Sequence, residues 1–236
     1  MKSLSLKVST SVVSLALALA GCGLISSDIS KITFDLPTET YTFDTSMWGN
    51  LPMGMIPSVP CMSDMTCCTA AMVAGMSCTS PQLDCNTSTS TCEASVPESA
   101  SSSINLAMQV PQLQDFGGKA LSNVTISKIT YSVSNNTMNI DLPAMTIYLA
   151  PDKVTDPTDP RAVPFGTTMP IPKMTDPTNQ QVMLVPNASA VFSMFTSDIS
   201  NPFNIIAATT VKIEGGQPVP MGAVTLSVTG SLSAQL

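Results

Sequence analysis

The feature that most constrains the fold is a regular alternation of apolar and polar residues between Val224 and Gln235. A period of two residues is that of a β-strand, because successive side chains of a strand point to opposite faces of a sheet. The apolar face carries Val224, Leu226, Val228, Leu232 and Ala234. The other face is polar, so the pattern predicts a strand with one buried face and one face in water.

The same alternation recurs along the chain after residue 31. The run 122–134 changes phase near Ser127 and Lys128, which predicts a β-bulge at that point. We expect residues 203–213 to pair with the C-terminal strand, because a turn rich in glycine and proline separates the two. Further strands are predicted at 32–36, 40–44, 104–110, 138–142 and 145–149.

Two stretches do not alternate. Asn187 is placed to cap a short helix that runs to Ser200, where Asn201-Pro202 would end it. Residues 151–178 are rich in proline and are predicted to form long extended loops. Together the patterns predict a mainly β fold, an immunoglobulin-like antiparallel β-sandwich with one short helix and a disulfide-rich loop insertion.

The N-terminal 21 residues have the layout of a secretory signal. Lys2 and Lys7 form a positive start, and an uncharged, mostly apolar run follows at 8–20. This run is shorter than the roughly 20 apolar residues that span a bilayer. The segment is therefore predicted to be a signal peptide, not a transmembrane helix.

The signal ends in a motif that carries a family resemblance. Leu19-Ala20-Gly21-Cys22 resembles the lipobox of bacterial lipoproteins at all four positions. In that family the signal is cut before the cysteine, the thiol takes a diacylglyceryl group, and the new amine is usually acylated, for example with palmitate. The alternative is an ordinary signal that happens to end near a cysteine.

The lipobox implies where the protein is attached. Two or three acyl chains on Cys22 would hold the protein at a membrane, whereas a single acyl chain binds a membrane only marginally. Gly23 stands where an aspartate tends to retain lipoproteins at the inner membrane. We therefore expect a signal peptide at 1–21, a lipidated tether at 22–30, and a lipid-anchored place in the cell envelope, at the outer membrane rather than the inner one.

Composition narrows the classes of function. The net charge is −7, and it becomes −9 when Lys2 and Lys7 leave with the signal. Nucleic-acid binding depends on Lys and Arg, so we expect no nucleic-acid partner. The chain has no histidine, which excludes Ser-His-Asp and Cys-His catalysis and histidine-based metal sites. We expect no cofactor and no catalysis, with a hydrolase that uses a carboxylate pair as an alternative.

Six cysteines follow Cys22, and all lie between residues 61 and 92. An even number of cysteines in an exported chain predicts three disulfides. The pairing stays open, except that a bond between the neighbours Cys67 and Cys68 is geometrically awkward. The segment has few large apolar residues, so cross-links are expected to hold it together. We therefore expect a disulfide-rich insertion at 61–92, between the first strands of the sandwich at 31–60 and its body at 93–236. The cysteines are Cys61, Cys67, Cys68, Cys78, Cys85 and Cys92.

Methionines surround these cysteines. Seven of the 16 methionines lie between residues 47 and 76. Thioethers are soft ligands that favour Cu(I), so one alternative function is a cuprous carrier built on the Met/Cys-rich segment 47–78. The other interpretation is that methionine fills irregular gaps beside disulfides. The ligands of such a carrier would be Met53, Met55, Met62 and Met65.

Residues 124–236 also resemble the immunoglobulin-like sandwich of the LEA-14 and WHy proteins. The resemblance rests on the bulged strand, the following IDLPAMTIYL run, a Pro/Gly loop and the final alternating strand. Those families usually have Asn-Pro-Asn at the turn, where this chain has Asn135-Asn136-Thr137. The resemblance implies a non-enzymatic role at a surface. The leading hypothesis is thus a lipid-anchored envelope protein, a structural or binding module whose partners are the membrane and another envelope protein.

Overall fold

The structure is a computed structural model that describes residues 31–47, 58–73, 78, 82–116, 119–217 and 219–235. Its ten strands form two antiparallel sheets. The first sheet has four strands in the order β1-β10-β4-β7. These strands are β1 (Ile32–Asp44), β4 (Ser122–Ser134), β7 (Gln180–Gln181) and β10 (Ala223–Gln235).

The second sheet has six strands in the order β2-β3-β9-β5-β6-β8. Neighbouring strands are antiparallel throughout. The long strands β3 and β9 form its centre and pair over twelve residues, from Glu93 opposite Glu214 to Ile104 opposite Phe203. The strands are β2 (Gln82–Asn86), β3 (Thr91–Ile104), β5 (Thr146–Pro151), β6 (Val163–Thr167), β8 (Met183–Leu184) and β9 (Phe203–Glu214).

Three α-helices and two 3-10 helices complete the described part of the chain. Helix α3 contacts β4 of the first sheet and β5 and β6 of the second, so it packs between the two sheets. Its Phe192 is fully buried and meets the Phe203 ring edge-on, with ring centroids 5.9 Å apart. The helices are α1 (Asp64–Val73), α2 (Leu106–Gln109) and α3 (Ala188–Phe195), with 3-10 turns at Thr45–Met47 and Pro111–Phe116.

The sandwich prediction is confirmed in its class, since the chain is mainly β with two antiparallel sheets and few helices. The predicted bulge is also present. The register of β4 against β10 slips between Lys128 and Ile126, which leaves Ser127 without an opposite residue. The two predicted runs at 32–36 and 40–44 form the single strand β1, whose register shifts between Leu36 and Glu39.

Several local predictions are wrong. Residues 106–109 are helical instead of extended, because the Asn105 side chain accepts a hydrogen bond from the Met108 amide (3.1 Å) and caps α2. Residues 138–142 form no strand, although Met138 and Leu142 are buried. The loop predicted at 151–178 contains β6, and three α-helices are present where one was expected.

The predicted partner of the C-terminal strand is also wrong. β9 pairs with β3 and β5 in the second sheet, whereas β10 lies in the first sheet between β1 and β4. The turn after β9 therefore crosses from one sheet to the other instead of closing a hairpin. Adjacent strands in sequence are often neighbours in space, but a sandwich needs such crossings.

A polar contact joins the two sheets where β1 passes beside β3. Ser102 of β3 donates a hydrogen bond to the Glu39 carboxylate of β1, and Glu39 is buried. The neighbouring Tyr41 is also buried and its hydroxyl donates to the Ile205 carbonyl (3.5 Å). Burial and the nearby Glu39 charge both raise the pKa of Tyr41, in that order of size.

The raised pKa of Tyr41 predicts alkaline destabilisation. An unfolded tyrosine ionises near pH 10, whereas folded Tyr41 stays protonated, so the free energy of unfolding falls as pH rises above 10. The slope that Tyr41 adds is at most about 1.4 kcal/mol per pH unit. Urea unfolding between pH 8 and 11 should show a shallower fall for Tyr41→Phe than for the unmodified protein. Parallel curves would show that Tyr41 is not the group responsible.

Candidate functional site

The six cysteines of the segment 61–92 form three disulfides, as predicted. The pairs are Cys61–Cys85, Cys67–Cys92 and Cys68–Cys78, with Cα–Cα distances of 5.8, 5.4 and 4.8 Å. These distances lie within the ordinary range for disulfides. Two of the cross-links join α1 and the residues before it to the hairpin of β2 and β3, and the third joins α1 to Cys78.

The position of the cysteines on α1 explains how neighbours find different partners. Cys67 and Cys68 are about 100° apart around the helix, so their side chains leave it in different directions. Cys67 is buried and reaches Cys92 on β3, whereas Cys68 is half-buried and reaches Cys78. The Asp64 carboxylate also accepts a hydrogen bond from the Cys85 amide (2.8 Å), which fixes the start of the helix on β2.

The segment 61–92 is not a separate loop insertion, which corrects the sequence interpretation. Cys61, Cys67 and Cys92 belong to the main hydrophobic core, together with Leu83 of β2. Strand β2 and the first residues of β3 are part of the second sheet. The boundary at residue 92 therefore falls inside a strand, and the cross-links attach a helix to the sandwich.

Two of the disulfides lie side by side. Cys85 and Cys92 are opposite each other in the β2–β3 hairpin, and the Sγ atoms of Cys61, Cys67 and Cys85 lie within 4.8 Å of one another. Among the described residues this is the only cluster of three cysteine or acidic side chains spaced to hold a metal ion. All three sulfurs are in disulfides, and it is the thiolate that binds metal.

The predicted copper ligands are only partly described. Met53 and Met55 lie outside the described residues, as does Cys22. Met62 and Met65 are 97% and 77% exposed, so neither thioether is enclosed by protein. The Cu(I) carrier stays a prediction.

A second candidate site lies on the outer face of the six-stranded sheet. Alternation places Ser99 of β3, Ala208 of β9 and Thr146 of β5 in one row, because Ala208 is opposite both of the others. Thr210 and Tyr148 lie in the next rows on the same face. Ala208 is the smallest of these side chains and sits centrally, which leaves a hollow along the sheet.

The loop after β5 turns this hollow into a cleft of about 710 Å³. Val154 of the loop packs on Ile206 and Ala150 of the outer face, with Tyr148 beside them. The buried Asn204 amide donates to the Val154 carbonyl (2.9 Å) and holds the loop on the sheet. Residues 155–158 then form the wall of the cleft.

Two short turns stiffen this wall. The Asp156 carboxylate accepts hydrogen bonds from the Thr158 amide (2.8 Å) and hydroxyl (2.7 Å), which lower the pKa of Asp156. The Asp159 carboxylate pairs with the Arg161 guanidinium at 2.7 Å, and hydrogen bonds from Arg161 lower the pKa of Asp159 to about 2. Turns of this kind pre-form the loop conformation.

The cleft also contains two acids. Glu98 and Asp156 both line it. Desolvation raises the pKa of Glu98, whereas hydrogen bonds lower that of Asp156. Carboxyl groups with opposite shifts are typical of an acid and base pair. The hydrolase alternative, for which the sequence named no acid pair, stays a prediction.

Sequence reasoning missed this cleft, although one signal pointed to it. The run Phe203–Ala208 is buried at every position, and it contains four consecutive apolar residues at 205–208. A strand that is apolar on both faces is covered on both faces. The outer cover here is the loop after β5, so the run indicates where the loop packs.

Comparisons with known proteins add no functional information. No protein-family model matches the chain, and no curated protein is similar to it. A solved structure of turnip yellow mosaic virus is similar at 8% identity and a TM-score of 0.27, over 99% of this chain and 90% of that one. A solved structure of Desmodium yellow mottle tymovirus is similar at 8% identity and a TM-score of 0.24, over 100% of this chain and 96% of that one. TM-scores this low carry no argument.

Proposed function

We propose that the protein is a lipid-anchored, non-catalytic binding module of the cell envelope. The observation that carries the proposal is that the three disulfides use all six cysteines of the segment 61–92. Stable structural disulfides are typical of oxidising compartments outside the cytoplasm. Their pairing leaves Cys22 of the lipobox as the one remaining cysteine.

The proposed anchor fits the rest of the chain. Among the described residues no helix is both long and apolar enough to cross a bilayer. The chain is acidic and would not be attracted to anionic lipid, so the lipid on Cys22 would attach the protein to the membrane. Strand β1 begins at Ile32, which allows the body to lie within roughly 30 Å of the membrane surface.

A binding role suits the sandwich better than chemistry does. The chain has no histidine, and the outer-face cleft is lined by several hydroxyl groups. We propose an outer-membrane location, with another envelope component as the partner. Nucleic acid is not expected, because Lys and Arg together number nine against 16 acids.

Replacing Cys22 by alanine is expected to release the protein from the membrane. Without the thiol no diacylglyceryl group is attached, and the remaining chain has no other predicted anchor. Membrane fractionation in the native host should move the protein from the membrane pellet to the soluble fraction. Mass spectrometry of the N-terminal peptide should find acyl chains on Cys22 only in the unmodified protein.

The double variant Cys68→Ala/Cys78→Ala is the matched control, because it removes the two half-buried cysteines of one disulfide, here called the outer disulfide, and leaves the lipobox intact. It should remain in the membrane pellet. Firm membrane binding of the Cys22→Ala variant would exclude the lipid anchor and with it this proposed function.

A further inference from the structure

The outer-face cleft has the size and rigidity of a ligand site. Its volume of about 710 Å³ falls in the range of roughly 300–1,000 Å³ that is typical of small-molecule sites. Its floor is a hydrogen-bonded sheet of three strands, and its wall is the loop fixed by Asn204 and Asp156. A ligand would therefore meet groups that are already in place.

The polar groups of the cleft are largely unused by the protein. Within the described part of the chain, five hydroxyls that line the cleft make no hydrogen bond to another residue. They belong to Ser99, Thr146, Tyr148, Thr155 and Thr210. A hydroxyl both donates and accepts hydrogen bonds, so these five match a ligand that carries several groups able to donate and accept hydrogen bonds.

The charge of the cleft narrows the ligand further. Among the described residues that line it, the only ionisable groups besides Tyr148 are the acids Glu98 and Asp156, and none is Lys or Arg. An anionic ligand would meet repulsion there. The apolar surface is limited to Tyr148 and small or proline side chains, which is too little to bury a lipid chain.

We propose that this cleft binds a neutral saccharide chain. Sugar hydroxyls would pair with the free hydroxyls of the floor and with the Asp156 carboxylate, while the apolar face of a sugar ring would lie on Tyr148 and Pro157. The inference names a ligand class for the binding module proposed above and rests on that function. The cleft itself is built only from residues 97–210 and does not depend on the anchor.

The test is a calorimetric titration of the full-length protein, purified in a detergent without a sugar headgroup. Tetrasaccharides of glucose and of N-acetylglucosamine are the neutral probes, and choline is the cationic one. We expect at least one saccharide to bind with an affinity that sodium chloride does not change, because no charges pair. The double variant Tyr148→Phe/Thr210→Val removes two hydroxyls and should weaken binding by about tenfold.

Thr42→Val is the matched control. Thr42 is exposed on β1 of the other sheet, and its loss should leave saccharide affinity unchanged. The inference is overturned if no saccharide binds at millimolar concentration, if the double variant binds equally well, or if choline binds in its place with salt-sensitive affinity. Cleft variants should stay in the membrane pellet, so failure here is distinct from failure of the lipid anchor.

Discussion

The double variant Cys67→Ala/Cys92→Ala is expected to lose about 3–5 kcal/mol of unfolding free energy. The disulfide spans 25 residues, and loop closure alone gives about 3.5 kcal/mol for a loop of that length. Both cysteines are buried in the main core, so the smaller alanines also leave poorly filled space. Urea unfolding followed by circular dichroism would measure the loss.

The disulfide Cys68–Cys78 provides the comparison. It spans only 10 residues and its cysteines are half-buried, so loop closure predicts about 2.7 kcal/mol and little loss of packing. The Cys68→Ala/Cys78→Ala variant should therefore be the more stable of the two. A larger loss for the outer pair would refute the view that α1 is held to the sandwich through Cys67.

Gly222→Ala is expected to cost at least about 3 kcal/mol. The residue before β10 has φ of +117°, a conformation that side chains rarely adopt. A Cβ atom there would lie 2.3 Å from the Thr137 carbonyl oxygen and 2.8 Å from the Met138 nitrogen. These are backbone atoms, and hydrogen bonds between Gly222 and Thr45 keep the segment from moving away. Thermal unfolding of the variant would show the loss.

Gly216→Ala is the control for backbone strain without the clash. Gly216 has φ of +84°, and an added Cβ would be 3.3 Å from the Ser58 Cβ, a side-chain contact at the surface. Strain alone predicts a loss of about 1 kcal/mol. Equal losses in the two variants would mean that the contact with Thr137 is not what makes Gly222 necessary.

The sequence predicted best where local pattern and tertiary burial agree. The alternation of β10 is reproduced from Val224 to Leu232, because its apolar face is the buried one, whereas Ser233 on the predicted polar face is also buried. The phase change near Ser127 located the bulge of β4. The helix after Asn187 is present, although the Asn187 side chain makes no capping hydrogen bond and the helix ends at Phe195.

The failures have physical causes that lie outside local pattern. Leu106 and Val110 are buried, but the Asn105 side chain accepts a hydrogen bond from the Met108 amide and caps a helix over residues 106–109. Met138 and Leu142 are buried in the main core, but the Asn136 amide nearby donates to the carbonyls of Pro172 and Thr175, more than 30 residues away, and no described strand pairs with this stretch. An alternating pattern of apolar and polar residues indicates which side chains are buried. A buried segment forms a strand only if its backbone also pairs with a neighbouring strand.

The candidate cleft could be predicted even less. Its floor comes from β3, β5 and β9, and its wall from the loop after β5. Ser99 and Thr146 line the same cleft only because both are opposite Ala208, one on each side of it. This arrangement depends on which strands share a sheet, and the sequence reasoning paired the C-terminal strand with the wrong partner.

The pairing of β1 with β10 governs the time at which the protein can fold. Thr229 of β10 bonds to Leu36 of β1 across 193 residues, and β10 also separates β1 from β4. Until β10 has been synthesised, the first sheet lacks its middle strand, and β1 keeps an apolar face with no partner. Such distant contacts make folding slow. The four-stranded sheet should therefore form only after β10 has been synthesised, whereas the six-stranded sheet contains no part of β10.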